Sequence, residues 1–177
     1  MLSERMEKAL NEQVNAELYS AYLYLSMASY FRKINLNGFA RWMEVQSLEE
    51  VTHAMKFYNF INERGEQTIL KPLEGPPISW ETPLAAFEDA YSHELKVTDL
   101  INNLVNLAIE EKDHATNNFL QWFVSEQVEE EASANEVVQK LLLVRDGQGS
   151  FFMLDQELGK RMFNIPVGTT IVAGVTA

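Results

Sequence analysis

The chain has 177 residues, 46% of them hydrophobic, with a net charge of -12, few glycines and prolines (8 and 5) and no cysteine. That length suits one domain with a sizeable core, and the missing cysteine excludes disulfides, thiolate metal sites and thiol catalysis, so carboxylate and imidazole must hold any metal, a donor set that favours iron or manganese. The negative surface disfavours nucleic acid and anionic membranes as partners and attracts small cations, although acidity alone is equally what keeps a protein in solution.

The opening stretch, MLSERMEKALNEQ, is charged throughout and has no apolar signal-peptide core, so a cytoplasmic location is expected. Four long segments then carry apolar residues at alternating steps of three and four, the pattern of helices that share a seam. The first helix, α1, is predicted from about Ser3, its N-cap, to Phe31, with the seam Met6, Leu10, Val14, Glu17, Ala21, Tyr24, Ala28 and Phe31. Helix α2 runs from about Asn37 to Arg64, stopped by Gly65, with the seam Met43, Gln46, Glu50, His53, Phe57 and Phe60. Helix α3 runs from about Pro83, a good first-turn residue, to Glu111, with Leu84, Phe87, Tyr91, Glu94, Thr98, Ile101, Val105 and Ala108 on its seam. Helix α4 runs from about Ala115 to Val144, with Leu120, Phe123, Gln127, Glu130, Ala134, Val137 and Leu141.

The α1–α2 and α3–α4 links are short, so each pair is an antiparallel hairpin. The α2–α3 (B–C) link, Glu66 to Thr82, holds Pro72, Gly75, Pro76 and Pro77. Extended, it reaches ~56 Å, against ~42 Å for a helix of the length of α2, so it can cross the whole bundle and make α3 parallel to α2. A short fifth helix, α5, is predicted from Ser150 to Phe163, on Phe151, Phe152, Leu154 and Leu158. The expected organisation is one domain over 1–163 and a tail, 164–177, to which no structure is assigned; its apolar stretch Ile171 to Ala177 is too short to cross a membrane.

Each seam is interrupted by polar groups: Glu17; Glu50 and His53; Glu94; Gln127 and Glu130. A buried carboxylate costs several kcal/mol unless it is paired or bound to metal. A single polar residue can simply fix register, but here every helix is interrupted, and at matching depth. Counted from a turn near Asn35, Glu17 lies 18 residues before and Glu50 and His53 lie 15 and 18 after; counted from Asp113, Glu94 lies 19 before and Gln127 and Glu130 lie 14 and 17 after. The five ionisable groups converge mid-bundle. Glu50 and His53, three apart, share one helical face.

A Glu from each of two helices with a Glu-x-x-His from the others is the known arrangement of ferritin-like di-iron proteins. Glu50-Val-Thr-His53 fits it fully, while α4 departs from it as Gln127-Val-Glu-Glu130. With residues 11–24 (NEQVNAELYSAYLY), 49–55 (EEVTHAM), His93-Glu94 and 118–131 (NFLQWFVSEQVEEE), the sequence resembles the non-haem ferritins of bacteria and archaea over about residues 1–163.

The resemblance implies an all-α, ferritin-like up-down-down-up four-helix bundle with a long B–C crossover and a short C-terminal fifth helix. It implies a ferroxidase that oxidises Fe(II) with dioxygen or hydrogen peroxide and deposits ferric mineral inside a hollow homo-oligomeric shell of 24 copies. By the same resemblance Glu17, Glu50 and His53 would hold one iron, and Glu50, Glu94 and Glu130 a second, with Glu50 bridging and Gln127 beside the pair as an oxygen ligand or hydrogen-bond partner. Glu49, Glu126, Glu129 and Glu130 would hold a third, Tyr24 would be an electron donor, and Trp122 a nearby aromatic. Read without the resemblance, Glu49, Glu126 and Glu129 are a solvated acidic flank and Tyr24 is core. His93 is expected to be structural or exposed and His114 exposed in the α3–α4 turn; Met6, Met27, Met43 and Met55 are packing residues. A haem-binding ferritin carries a methionine after the α2 glutamate, where this chain has Val51, so no haem is expected. A rubrerythrin-like peroxide reductase would want cysteines and a second Glu-x-x-His. A DNA-protecting mini-ferritin is disfavoured by the fifth helix, the ligands within the bundle and the lack of a basic tail, and a cage without a catalytic site is disfavoured by the complete set of carboxylates.

Overall fold

The computed structural model describes residues 2–144 and 148–163; the tail, 164–177, lies outside the described residues. Helix α1 spans Glu4–Lys33, α2 Asn37–Glu63, α3 Pro83–Glu110, α4 His114–Leu143 and α5 Gln148–Leu158. Three of them start on side chains that accept an otherwise unpaired backbone N–H. Ser3 accepts from Met6 N (3.0 Å), Thr82 from Ala85 N (3.0 Å), and Asp113 from Thr116 N (3.1 Å). Helices α1, α2 and α3 end alike, with Asn35, Gly65 and Lys112 at φ 62°, 86° and 57°. In each case the next amide reaches back to close the last turn, as in Leu36 N to Phe31 O at 3.0 Å and Asp113 N to Ala108 O at 2.9 Å.

The start of α2 has no cap of its own and is capped from α5. Asp155 accepts from the amides of Gly38 (2.8 Å) and Phe39 (3.2 Å). The fit is tight, because a Cβ at position 38 would lie 1.6 Å from the Asp155 carbonyl oxygen.

Cross-contacts fix the topology. Ser47 donates to Ala21 O (2.8 Å) and Arg32 pairs with Glu44 (2.7 Å), so α2 runs against α1. Arg5 pairs with Glu110 and Ser20 meets His93, so α3 also runs against α1. Gln46 meets Glu130 and Arg64 meets Asp113, so α4 runs against α2. The order is up-down-down-up, and α3 is parallel to α2. The crossover climbs α1: Ile69 N donates to Asn11 Oδ1 (2.6 Å), Ser26 donates to Pro77 O (2.6 Å), and Trp80 packs on Tyr30.

The apolar core is in two parts. One surrounds Phe31, Phe39 and Phe87 and takes in Leu154 and Leu158 of α5; the other surrounds Leu10, Phe57 and Phe123 at the opposite end. The interrupting polar residues occupy the gap between them.

Two expectations are corrected. On α3, Leu84, Tyr91, Thr98 and Val105 are only half-buried, and Ala90, Val97 and Leu104 join Phe87, Glu94, Ile101 and Ala108 inside. Both flanks of that central row are apolar, so spacing alone did not say which faced the bundle. Helix α5 ends at Leu158 rather than near Phe163: the chain turns at Gly159, whose Cα passes beside that of Gly38. Among the described residues no helix is long and apolar enough to cross a membrane.

Candidate metal centre

Each polar group reaches the centre because it occupies an inward step of its helix. Glu17, Glu50, His53, Glu94, Gln127 and Glu130 are all buried, each 6% exposed or less. Ligand atoms of Glu17, Glu50 and His53 lie within 4.8 Å of one another, and so do those of His53, Glu126 and Glu130. The two groups share His53.

Amides and one phenol hold the carboxylates in place. Gln13 donates to Glu17 Oε1 (2.9 Å). Gln46 donates both to Glu50 Oε1 (3.0 Å) and to Glu130 Oε2 (2.6 Å), joining α2 to α4. Gln127 donates to Glu94 Oε2 (3.2 Å), and Tyr24 donates its hydroxyl to Glu94 Oε1. His53 Nδ1 faces Glu50 Oε2 at 3.5 Å. Glu17 Oε2 and His53 Nε2 are buried without a hydrogen-bond partner. Such orphaned groups are rare in folded proteins and call for an explanation.

Burial pushes every carboxyl of the cluster up. Glu17 rises to about 8, by burial first and then by the neighbouring Glu50 charge. Glu50 and Glu130 rise well above the ordinary range, each by burial first and then by a neighbouring carboxylate, Glu94 for Glu50 and Glu50 for Glu130, and Glu94 rises by burial against the opposing bonds from Tyr24 and Gln127. The Tyr24 phenol is also raised by burial and by Glu94. Without a cation, the cluster must hold protons at neutral pH or repel itself. Four carboxylates, one imidazole and an amide, two of them with buried polar atoms that nothing in the protein satisfies, fit a hard or borderline divalent ion.

A family model described as "Ferritin-like domain" matches residues 7–144. The chain belongs to the ferritin-like family. It is 44% identical over 161 residues to a bacterial non-heme ferritin of Bacteroides fragilis (strain 638R), covering 91% of this chain and 100% of that one. It is 38% identical over 164 residues to one of Staphylococcus aureus (strain MRSA252), covering 93% and 99%. Among solved structures, an open pore ferritin from the hyperthermophilic archaeon Archaeoglobus fulgidus superposes with a TM-score of 0.90 at 56% identity, over 92% of this chain and 99% of that one. An engineered closed form of the Archaeoglobus fulgidus ferritin gives 0.91 at 55%, over 93% and 100%.

Within this ferritin fold, the outer acidic residues are arranged unequally. Glu126 joins His53 and Glu130, Glu129 is exposed, and Glu49 Oε2 is held by Arg161. Burial raises the carboxyls of Glu49 and Glu126. Trp122 packs against His53, with ring centroids 5.4 Å apart, and carries Lys56 over its ring at 4.2 Å. His93 is half-buried; it meets Ser20 Oγ at 2.7 Å and packs edge-on to Tyr24. Burial lowers its pKa to about 4, which leaves it neutral at pH 7. His114 is the exposed first residue of α4. Val51, the position relevant to haem, lies on the outward side of α2 at 36% exposure.

Sequence reasoning gave Gln46 no role and passed over Gln13. A signal was present: on both α1 and α2 a glutamine stands four residues before the seam glutamate, Gln13 before Glu17 and Gln46 before Glu50. Residues four apart share a helical face. Arg161 had no comparable signal, because its partner lies 112 residues away.

Proposed function

We propose that this ferritin stores and detoxifies iron by binding two Fe(II) ions among Glu17, Glu50, His53, Glu94 and Glu130 and oxidising them. In this reading Glu17, Glu50 and His53 ligate the first ion and Glu50, Glu94 and Glu130 the second, with Glu50 bridging. Gln127 orients Glu94. Two observations on the same residues carry the reading: ligand atoms of Glu17, Glu50 and His53 lie within 4.8 Å of one another, and Glu17 Oε2 and His53 Nε2 are buried without a hydrogen-bond partner.

The residues account for each part of the chemistry. Binding Fe(II) displaces the protons that burial keeps on Glu17, Glu50 and Glu130, so their lone pairs turn to the metal. Anionic oxygen ligands stabilise Fe(III) more than Fe(II), which makes the bound ions good reductants. Each Fe(II) gives one electron, and two electrons with two protons convert dioxygen to hydrogen peroxide, which can itself serve as an oxidant. Tyr24, which donates its hydroxyl to Glu94, would give one further electron to that peroxide as its proton passes to the carboxylate; with a fourth electron from a third Fe(II) and two more protons from water, dioxygen is reduced to two waters. Glu49, Glu126, Glu129 and Glu130 take a third ion on its way to a ferric oxyhydroxide core. Such a core needs an enclosed space, which the proposed homo-oligomeric shell of 24 copies would supply, and the location that suits this role is the cytoplasm.

Stopped-flow mixing of Fe(II) with aerated protein tests the assignment. Glu50→Ala should lose rapid oxidation while its thermal melt remains cooperative, and wild-type rates in that variant would overturn the reading. Size-exclusion chromatography after iron loading reports the shell and the iron held per chain.

A further inference from the structure

Arg161 stands on the first turn after α5 and points back into the bundle's flank. Its Nη2 donates to Glu49 Oε2, and both side chains are about four-fifths buried, at 19% and 20% exposure. The guanidinium lies over Trp42 of α2 at 4.2 Å, and Nη1 is buried with no acceptor. The neighbouring ligand group contains His53, Glu126 and Glu130 but not Glu49. Of the outer carboxylates, Glu126 is within the cluster, Glu129 is exposed outside it, and Glu49, partly buried, is kept outside it in an ion pair with Arg161.

We propose that Arg161 is a positioning residue for the outer iron: it holds Glu49 off the cluster in the iron-free chain, and capture of that ion requires Glu49 to exchange the guanidinium for the metal. The proposal rests on the reading that Glu49 ligates a third ion. A mostly buried carboxylate without a counter-ion is costly, and Arg161 supplies the positive charge until iron does. Once released, the guanidinium keeps a favourable seat on the Trp42 face. The exchange does not need α5 to leave, since α5 is anchored separately by Asp155 on Gly38 and Phe39 and by Glu157 on Lys140 at 2.6 Å. Arg161 therefore sets the threshold of Fe(II) at which the outer position fills, after the inner pair.

Anaerobic calorimetric titration of the assembled protein with Fe(II) tests this in wild type, Arg161→Met, Arg161→Lys, Glu49→Gln and the Arg161→Met/Glu49→Gln double variant. Methionine keeps an apolar chain on Trp42 but removes the donors and the charge, and melting curves with size-exclusion profiles establish that each variant assembles; Arg161→Ala replaces it if it does not. The expected result is an outer iron bound about tenfold tighter in Arg161→Met, with the two inner affinities unchanged. Arg161→Lys should stay near wild type, Glu49→Gln should lose the outer ion, and the double variant should match Glu49→Gln. An outer ion that appears only in Arg161→Met also supports the clamp. If Arg161→Met binds the outer ion no more tightly while Glu49→Gln loses it, the clamp is wrong and Glu49 remains a ligand. If Glu49→Gln retains the outer ion in full, or neither wild type nor Arg161→Met binds one, the reading of Glu49 falls and the clamp falls with it.

Discussion

Gln46 of α2 donates its side-chain amide to Glu130 of α4 at 2.6 Å, across the middle of the bundle. The same nitrogen reaches Glu50 at 3.0 Å, while the amide oxygen is buried with no donor. One neutral side chain thus steadies two carboxyls that burial and mutual repulsion raise far above their ordinary range. Replacing Gln46 with Leu leaves both without that donor, and an unsatisfied buried polar group costs about 1–3 kcal/mol. The metal-free variant should melt lower than wild type by that order. Saturating metal should close most of the difference, because bound cations then fix both carboxylates. Melting curves with and without metal check this, and an equal loss in both states would mean that Gln46 acts by packing alone.

The Glu17 carboxyl carries a pH signature. Its folded pKa is about 8 against 4.5 for the ordinary group, chiefly through burial. Between those values the folded chain binds more protons than the unfolded one. Its contribution to stability is therefore greatest at low pH and declines as pH rises from 4.5 to about 8, with a slope of at most about 1.4 kcal/mol per pH unit. Glu17→Gln removes this titration at nearly constant volume. The stability difference between metal-free wild type and Glu17→Gln should grow in favour of the variant from pH 5 to pH 8.5. Denaturant midpoints at several pH values measure it, and a difference that stays flat with pH contradicts a buried, proton-holding Glu17.

Tyr24 separates structure from chemistry. Its ring is fully buried in the larger core and its hydroxyl donates to Glu94. Tyr24→Phe keeps the ring and deletes the donor, at a cost of about 1 kcal/mol. Iron stoichiometry should be unchanged, while oxidation slows and the product per dioxygen consumed shifts toward hydrogen peroxide. Parallel oxygen-electrode and peroxide assays decide the matter: unchanged rate and product would make Tyr24 a packing residue only.

The long helices, some of their ends and the depth at which charge enters the seam are legible because they depend on periodicity and local chemistry. Ser3, Pro83 and Gly65 act where their residue types suggest, and Glu17, Glu50, His53, Glu94 and Glu130 converge because rise per residue is fixed along a helix. The less legible features depend on contacts distant in sequence. Whether Tyr91 or Ala90 turns inward depends on how α3 rolls against its neighbours, which its own doubly apolar pattern does not state. That Asp155 caps α2, or that Arg161 holds Glu49, depends on where α5 docks, and no local pattern encodes that.

That docking yields the last prediction. Gly38 opens α2 beneath Asp155, where an added Cβ would meet the Asp155 carbonyl oxygen at 1.6 Å. Backbone cannot yield as a flexible side chain does, so Gly38→Ala must push α5 from its seat, at a cost of about 1–3 kcal/mol or more for overpacking. The displacement would break the cap on the Gly38 and Phe39 amides and withdraw Leu154 and Leu158 from the core. It would also draw Arg161 away from Glu49. The variant should therefore melt lower and become sensitive to protease within residues 148–163, while the four-helix portion keeps its helical signal. Gly159→Ala is milder, since its added Cβ would sit 3.3 Å from the Gly38 Cα. Limited proteolysis and circular dichroism on both variants rank them; Gly38→Ala no less stable than Gly159→Ala would show that α5 does not depend on this close approach.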